Sequence, residues 1–168
     1  MNNFYTKIVN TKELNFFILA SKHKITPRFI SYSKNESDDV SNDSLYSLSM
    51  EFYPENLNDV MKNPSRKDEA LFIIEQTRKI INILHSIDIL HNDISEENIV
   101  YDRSNRSVAI IDFGLSTLIS TILPSEISDY IENLYEGINF AGFPSNTIEY
   151  LLRVELGILT FLEHSINK

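Results

Sequence analysis

Three side chains between His91 and Gly114 are of the types that handle a proton and hold a divalent cation. Asp93 stands five positions before Asn98, and Asp112 opens the triplet Asp-Phe-Gly. Phosphoryl transfer uses an aspartate that accepts a hydroxyl proton, an asparagine five positions later that holds one Mg²⁺, and an Asp-Phe-Gly aspartate that holds another. The types, order and spacing of Asp93, Asn98 and Asp112 therefore predict a phosphoryl-transfer site.

Each of these residues also has an ordinary structural explanation. Asp93 could cap a turn, Asn98 could make an Asx turn, and Asp112 could end a strand before a tight turn. Any one residue taken alone is better explained in that way. Together they favour a site, because the false-positive risks of independent short motifs multiply.

Hydrophobic periodicity predicts the elements that would position these residues. Residues 67–86 carry apolar side chains on more than one side, which predicts a long helix that is buried over most of its surface. Residues 98–101 and 107–111 predict two short strands, and the polar residues 102–105 predict the turn between them. The candidate residues would thus lie around one hairpin that follows the long helix.

The flanking regions predict further elements. Residues 12–22 have helical spacing, and residues 29–33 and 45–52 resemble strands. The polar and acidic residues 34–44 between those strands predict a mobile hairpin loop. Beyond the Asp-Phe-Gly triplet, two helices and one break are predicted: residues 125–138, residues 147–166 and, between them, Gly142-Phe143-Pro144.

Composition narrows the class of protein. A chain of 168 residues can form one domain or two small lobes around a cleft. It has no cysteine, which excludes disulfides and thiolate metal sites and favours a reducing compartment. Without a signal-like N-terminus or a long apolar run, we expect an intracellular, cytoplasmic or nuclear, protein that does not enter membranes. The net charge of −9 disfavours direct nucleic-acid binding, whereas Mg²⁺ brings its own positive charge to a carboxylate-rich site.

The order of elements and the motif residues together resemble the protein-kinase superfamily from about residue 7 to about residue 137, with the specific part at 91–114. The resemblance implies an α+β, two-lobed kinase-like fold. Residues 1–53 would form a reduced N-terminal lobe of short strands and one helix. Residues 54–168 would form a mainly helical C-terminal lobe that carries the catalytic loop.

The resemblance also implies roles for individual residues, with ATP and Mg²⁺ as cofactors. Asp93, Asn98 and Asp112 would be catalytic, and the last two would hold Mg²⁺. The other implied contacts are these: Lys7 paired with Glu13 at the phosphates, Met50 near the gatekeeper place, and the backbone of Glu51 and Tyr53 at the adenine. Phe17, one helical turn after Glu13, would pack near Phe113 and His91, and Asp129 resembles the helix aspartate that braces the catalytic loop. A solvent-facing Asp129 is nearly as good an explanation.

Departures from the kinase pattern modify these expectations. Asn92 stands where arginine is usual, so control through a phosphorylated loop is not expected. Ser95 replaces the usual lysine, which makes the segment more similar to the RIO kinases and the kinase of the KEOPS complex. Residues 115–126 contain no Ala-Pro-Glu, so a peptide-docking platform of the usual kind is not expected. No Gly-x-Gly-x-x-Gly is present and six residues precede Lys7, so we expect the glycine-rich lid to be missing.

Three functions remain open at this point. The first is an ATP- and Mg²⁺-dependent phosphotransferase, an atypical serine/threonine kinase or kinase-like ATPase with a protein substrate or partner. The second is an inactive or weakly active kinase mimic that serves as a regulatory binding module. The third, phosphorylation of small molecules of the aminoglycoside or choline type, ranks last, because Phe113 and Gly114 follow the second metal aspartate.

Overall fold

The computed structural model describes residues 4–35, 44–134 and 147–167. The strands in these ranges are β1 (Phe4–Asn10), β2 (Phe29–Lys34), β3 (Leu45–Glu51), β4 (Glu55–Asn56), β5 (Ile89–Leu90), β6 (Ile99–Asp102), β7 (Ser107–Ile110) and β8 (Thr117–Leu118). The α-helices are α1 (Thr11–Ser21), α2 (Leu57–Met61), α3 (Lys67–Ser86), α4 (Ile127–Leu134) and α5 (Ile148–Ile166). Mixed strands and helices of this kind agree with the predicted α+β class.

The first sheet is antiparallel, with the strand order β1-β3-β2, and it carries Lys7 on β1. Along β1, Val9 is buried and Lys7 is half-buried, while Ile8 between them is exposed, so odd positions face inward. α1 begins directly after β1, where the Asn10 side chain accepts a hydrogen bond of 2.8 Å from the Glu13 backbone N–H. This cap fixes Glu13 in the first turn of α1, within reach of Lys7.

Helix α3 forms the centre of the helical part and packs against α5, α2 and β7. Its buried residues lie on one side: Ala70, Ile73, Ile74, Thr77, Ile80, Ile81 and Leu84. Ile83 on the opposite side is 36% exposed. The bounds predicted for this helix, residues 67–86, are confirmed. The prediction that most of its surface is buried is wrong, because the neighbouring elements cover one side of the helix.

A second sheet, of order β4-β6-β7, follows α3 and brings the motif residues together. β6 and β7 pair antiparallel with Ile99 opposite Ile110. One step beyond this pair, the Ile111 N–H donates to the Asn98 carbonyl at 3.0 Å. Because Asp112 follows Ile111 directly, the hairpin places Asn98 and Asp112 at the same end of the sheet.

The predicted elements agree with the observed ones to within a few residues where both can be compared. The helix predicted at 147–166 is α5, whose N-cap is Thr147, and α4 lies inside the helix predicted at 125–138. Most of the loop at 34–44, the end of the helix at 125–138 and the break at Gly142-Phe143-Pro144 lie outside the described residues. The division into lobes at residue 53 stays a prediction.

Candidate active site

The loop between β5 and β6 holds Asp93 and Asn98 in direct contact. Asn98 Nδ2 donates to the Asp93 backbone carbonyl and to Asp93 Oδ2, each at 2.9 Å. These two bonds use both hydrogens of the amide and so fix its orientation. Asn98 Oδ1 is then the atom of this amide that could bind a cation, because Mg²⁺ prefers oxygen ligands.

Asp112 has a backbone conformation that most residues avoid. Its φ is 66°, in the left-handed region where aspartate and asparagine are better tolerated than other non-glycine residues. Gly114 approaches so closely that an added Cβ would lie 3.3 Å from Asp112 Oδ1. The absence of a side chain at Gly114 thus leaves room for the carboxylate of Asp112, and a larger residue there would press on it.

Lys7 joins the first sheet to this carboxylate. Its Nζ lies 2.8 Å from Glu13 Oε1 and 2.9 Å from Asp112 Oδ2. Burial acts to lower the pKa of Lys7, but hydrogen bonds and charge attraction from the two carboxylates raise it above its ordinary value overall. The predicted pair of Lys7 and Glu13 is present in the structure, with the ammonium group charged at neutral pH.

An aromatic cluster of Phe17, Phe113 and His91 packs beside the catalytic-loop residues. The Phe17 and Phe113 rings meet edge to face with centroids 6.2 Å apart, and the Phe113 and His91 rings lie 4.9 Å apart. His91 is fully buried; its Nε2–H donates to the Ile111 carbonyl at 3.1 Å, and its Nδ1 accepts from the Asp93 N–H at 3.3 Å. Burial lowers the pKa of His91, so the neutral ring is the form that supports Asp93. The contact predicted between Phe17 and Phe113 is confirmed, although the rings meet edge to face and the cluster reaches His91 through Phe113.

Helix α5 braces the loop through Glu155, a residue that the sequence interpretation missed. Glu155 is 0% exposed; its Oε1 accepts a 2.7 Å bond from the Asn92 N–H, and its Oε2 lies 2.7 Å from His85 Nε2. Asp129, the predicted brace, is exposed on α4. That prediction is wrong, because α5 rather than α4 brings a carboxylate to the loop. The available signal was an acidic residue on the apolar face of a predicted helix, between Val154 and Leu159.

Asn92 connects the loop to the segment after Asp-Phe-Gly. Its Nδ2 donates to the Leu115 carbonyl at 2.9 Å and to the Tyr130 hydroxyl at 2.5 Å. Its φ of 68° is again one that asparagine tolerates. Asn92 is buried, and this neutral amide stands where the kinase pattern has arginine. The segment after Asp112 is thus held by uncharged hydrogen bonds.

A cavity of about 140 Å³ lies between the first sheet and the β6–β7 hairpin. Met50, Glu51 and Tyr53, the residues predicted at the adenine, are among its lining residues. Tyr5, Val100 and Ile111 contribute further lining. Tyr53 is tied to β7 by a 2.7 Å hydrogen bond between its hydroxyl and Ser107 Oγ. Of the eight predicted site residues, three thus line this cavity, and the other five form two contacting groups: Lys7 with Glu13 and Asp112, and Asp93 with Asn98.

The oxygen atoms of Asn98 and Asp112 could hold a cation that is shared with bound phosphates. Within residues 4–35, 44–134 and 147–167, no three His, Asp or Glu side chains converge as a cation site of their own. Mg²⁺ is commonly held by one or two protein oxygens together with substrate phosphates, and Asn98 Oδ1 and Asp112 fit that pattern.

In the same described ranges, no helix is both long and apolar enough to cross a membrane.

Comparisons with known proteins identify a family and several proteins to which this chain is similar. A family model for the protein kinase domain matches residues 10–133. The chain is 34% identical over 65 residues to serine/threonine-protein kinase 1 of Heliothis zea nuclear polyhedrosis virus, covering 38% of this chain and 24% of that protein. It is 44% identical over 55 residues to calcium-dependent protein kinase 3 of Plasmodium yoelii yoelii, covering 32% of this chain and 10% of that protein. These alignments thus span a quarter or less of each relative.

A solved structure, that of the Cydia pomonella granulovirus kinase PK-1, is similar with a TM-score of 0.62 and 21% identity. The match covers 95% of this chain and 58% of that chain. At 21% identity the match shows a similar fold and nothing about function. The predicted kinase-like α+β fold is confirmed by the family model and by this structural likeness.

Proposed function

Because this chain belongs to the protein kinase domain family, we propose that it is an ATP- and Mg²⁺-dependent phosphotransferase of the atypical serine/threonine kinase kind. It would phosphorylate a protein hydroxyl or hydrolyse ATP to drive a protein partner. The observation that supports this most is the continuous set of contacts from Glu13 through Lys7 to Asp112, beside the bonded pair of Asp93 and Asn98.

Each residue of this set has a part in the proposed reaction. Asp93 would orient the incoming hydroxyl and accept its proton on the carboxylate oxygen that does not bond Asn98. Asn98 Oδ1 and Asp112 would hold Mg²⁺, which when bound supplies positive charge against the charge of the phosphates. Fixed groups of this kind act by positioning and by electrostatic stabilisation, without reorganising during the reaction.

Lys7 would bind the α- and β-phosphates while Glu13 keeps its ammonium group in place. Its present bond to Asp112 Oδ2 is compatible with this role, because a phosphate oxygen can replace one carboxylate oxygen as acceptor. The cavity beside Met50 would take the base, next to the backbone of Glu51 and Tyr53. We also propose that residues 1–53 and 54–168 act as two lobes around this cleft.

The test is a phosphate-transfer and hydrolysis assay with radiolabelled ATP at saturating Mg²⁺. The purified chain and its Asp112→Ala variant are compared, with dephosphorylated casein and the chain itself as acceptors. We expect label transfer or phosphate release by the unmodified chain and loss of both in Asp112→Ala. Equal rates for the two proteins would refute the proposal.

The alternative, an inactive kinase mimic that binds a regulatory partner, is favoured by one observation. The cavity of about 140 Å³ is smaller than the roughly 300 Å³ at which small-molecule sites usually begin. A mimic of this kind would gain little thermal stability from Mg²⁺-ATP, whereas an enzyme would gain measurably.

The narrower likeness to the RIO and KEOPS kinases stays a prediction that depends on Ser95 and its neighbours.

A further inference from the structure

A cleft of about 430 Å³ lies between the first turn of α3 and the turn that joins β6 to β7. The cavity of the candidate active site has about 140 Å³, so this cleft has room for a larger ligand. Its lining includes the arginines Arg66, Arg103 and Arg106 and the acidic residues Asp68 and Glu69. In the whole chain, 24 acidic residues outnumber 15 lysines and arginines, so the balance of charge in the cleft is the reverse of the general one.

Arg66 forms the fixed part of this cleft. Its guanidinium group donates to Glu55 Oε1 at 2.5 Å, to Glu55 Oε2 at 2.9 Å and to Glu69 Oε2 at 2.5 Å. Glu69 also accepts a bond of 3.0 Å from the Tyr101 hydroxyl. Because these bonds engage Arg66 with carboxylates of the chain itself, Arg66 shapes the cleft and the other two arginines are left to bind a ligand.

Arg103 and Arg106 have donors that a ligand could use. The Arg103 side chain is 67% exposed, and its Nε lies 3.2 Å from Glu69 Oε1. The Arg106 guanidinium lies 4.5 Å from the centre of the Phe72 ring, a cation–π contact that leaves its N–H groups free. Within the described residues, neither guanidinium has a further ion pair. Two guanidinium groups with available N–H donors therefore line one concave surface.

The backbone at Arg106 gives an independent reason to assign its side chain a role. Its φ is 54°, in the left-handed region that residues other than glycine, asparagine and aspartate seldom adopt. Glycine and asparagine are the usual residues at such a position of a hairpin turn. An arginine there keeps a backbone strain that glycine would avoid, and strain of this kind is found preferentially at functional sites.

We propose that this cleft binds a phosphorylated serine or threonine of a partner protein, with Arg103 and Arg106 donating to its phosphate. A phosphate monoester has nearly two negative charges at neutral pH and three acceptor oxygens, which suit the planar forks of two arginines. A glutamate side chain would bring one charge to a cleft that already contains two carboxylates. A phosphodiester also has one charge, and the net charge of −9 disfavours a nucleic acid.

The cleft is separate from the candidate active site. It lies at the turn end of the β6–β7 hairpin, where Asp102 pairs with Ser107, whereas Asn98 and Asp112 lie at the opposite end. None of the arginines belongs to the residues proposed for phosphoryl transfer. Binding at the cleft can therefore be measured without nucleotide, and its result does not depend on whether the chain is an active kinase.

The test is an NMR titration of the ¹⁵N-labelled full chain without nucleotide. The probe is a pool of short peptides that have one central phosphoserine and uncharged residues elsewhere. We expect this pool to shift the backbone amides of residues 65–69 and 103–107. Matched pools with serine or glutamate at the centre, inorganic phosphate and a short oligothymidylate should each bind at least about tenfold more weakly, because each lacks the dianionic ester or the peptide around it.

Three variants test the assigned residues. Arg106→Gly removes the guanidinium but accepts the left-handed backbone, so the turn should still form. It should weaken binding of the phosphopeptide pool about 10- to 100-fold, the effect of losing charged hydrogen bonds, and Arg103→Ala should act in the same direction. Asp68→Asn should tighten binding about two- to fivefold, because it removes a like charge from the cleft. A purely structural role of these residues would not produce that gain.

Arg28→Ala is the matched control. The Arg28 side chain is 75% exposed and lies 3.9 Å from Glu51, outside the cleft, so its loss should leave binding unchanged. Unchanged binding in both Arg106→Gly and Arg103→Ala would overturn the proposal, as would amide shifts centred on Lys7 instead of the cleft. Equal binding of the glutamate pool, of inorganic phosphate or of oligothymidylate would overturn the assignment of a phosphorylated protein segment.

Discussion

In the proposed reaction, Asp93 is the residue at which proton transfer can be separated from nucleotide binding. Asp93→Asn keeps the size of the side chain but removes the group that accepts a proton. We expect kcat to fall about 10²- to 10⁴-fold, the usual contribution of a general base, while the dissociation constant for Mg²⁺-ATP changes little. Asp129→Asn, at an exposed aspartate of α4, should keep full activity. An Asp93→Asn variant that retains normal kcat would show that another group takes the proton.

His91 makes the stability of the fold depend on pH. Its buried ring has a lowered pKa, so below pH 6.5 the unfolded chain binds a proton that the folded chain does not. The stability from His91 is therefore complete above pH 6.5 and is lost as the pH falls from 6.5 towards the lower pKa of the folded state. The free energy of unfolding should decrease by up to about 1.4 kcal/mol per pH unit in that range.

Urea unfolding of the unmodified chain and of His91→Phe between pH 5 and pH 7.5 tests this dependence. The difference in slope between the two proteins isolates His91, because the other titrating groups are common to both. Phe161→Leu changes an exposed residue of α5 that does not titrate, and it should keep the slope of the unmodified chain. Parallel slopes for all three proteins would mean that His91 titrates in the folded state as it does in the unfolded one.

At the scale of elements, α5 supports the loop that carries Asp93. Glu155→Ala would leave the buried Asn92 N–H and the half-buried His85 Nε2 without their carboxylate partner. We expect a loss of roughly 2–4 kcal/mol in the free energy of unfolding, since the buried N–H left unsatisfied costs about 1–3 kcal/mol and the half-buried ring adds a smaller cost. Glu149→Ala, on the same helix but exposed and paired with Arg153, should change stability by less than about 0.5 kcal/mol. Similar losses for both variants would remove the special role of Glu155.

The same elements explain what the sequence could and could not predict. The period of α3 spans twenty residues and defines both ends of the helix, whereas β5 and β8 have two residues each and no period at all. Asp93, Asn98 and Asp112 follow a local spacing, so they could be found by pattern. Glu155 comes to the loop from sixty-three residues away in the chain, and such a contact depends on how α5 packs against α3.

At the scale of the whole molecule, Lys7 is the residue through which the first sheet, α1 and the segment after β7 are joined. Its ammonium group bonds Glu13 on α1 and Asp112 beyond β7. Because its pKa is raised above the ordinary 10.5, these bonds persist from neutral pH until the pH exceeds 10.5, and they weaken only as Lys7 loses its proton there. In the proposed function, the nucleotide phosphates also bind Lys7. We therefore expect nucleotide binding to stabilise the molecule as a whole.

Thermal unfolding with and without Mg²⁺-ATP tests this coupling. At a concentration one hundred times the dissociation constant, the unmodified chain should gain about 2.7 kcal/mol. Lys7→Met should weaken binding about 10- to 100-fold, the equivalent of one charged hydrogen bond, and should then gain only about 0.4–1.4 kcal/mol at the same nucleotide concentration. Each gain is measured from the variant's own nucleotide-free Tm, because Glu13 and Asp112 lose their shared cation in Lys7→Met. Lys79→Met, at an exposed lysine of α3 paired with Glu75, should gain as much as the unmodified chain. If Lys7→Met gains equally, Lys7 joins the parts of the fold without binding the phosphates.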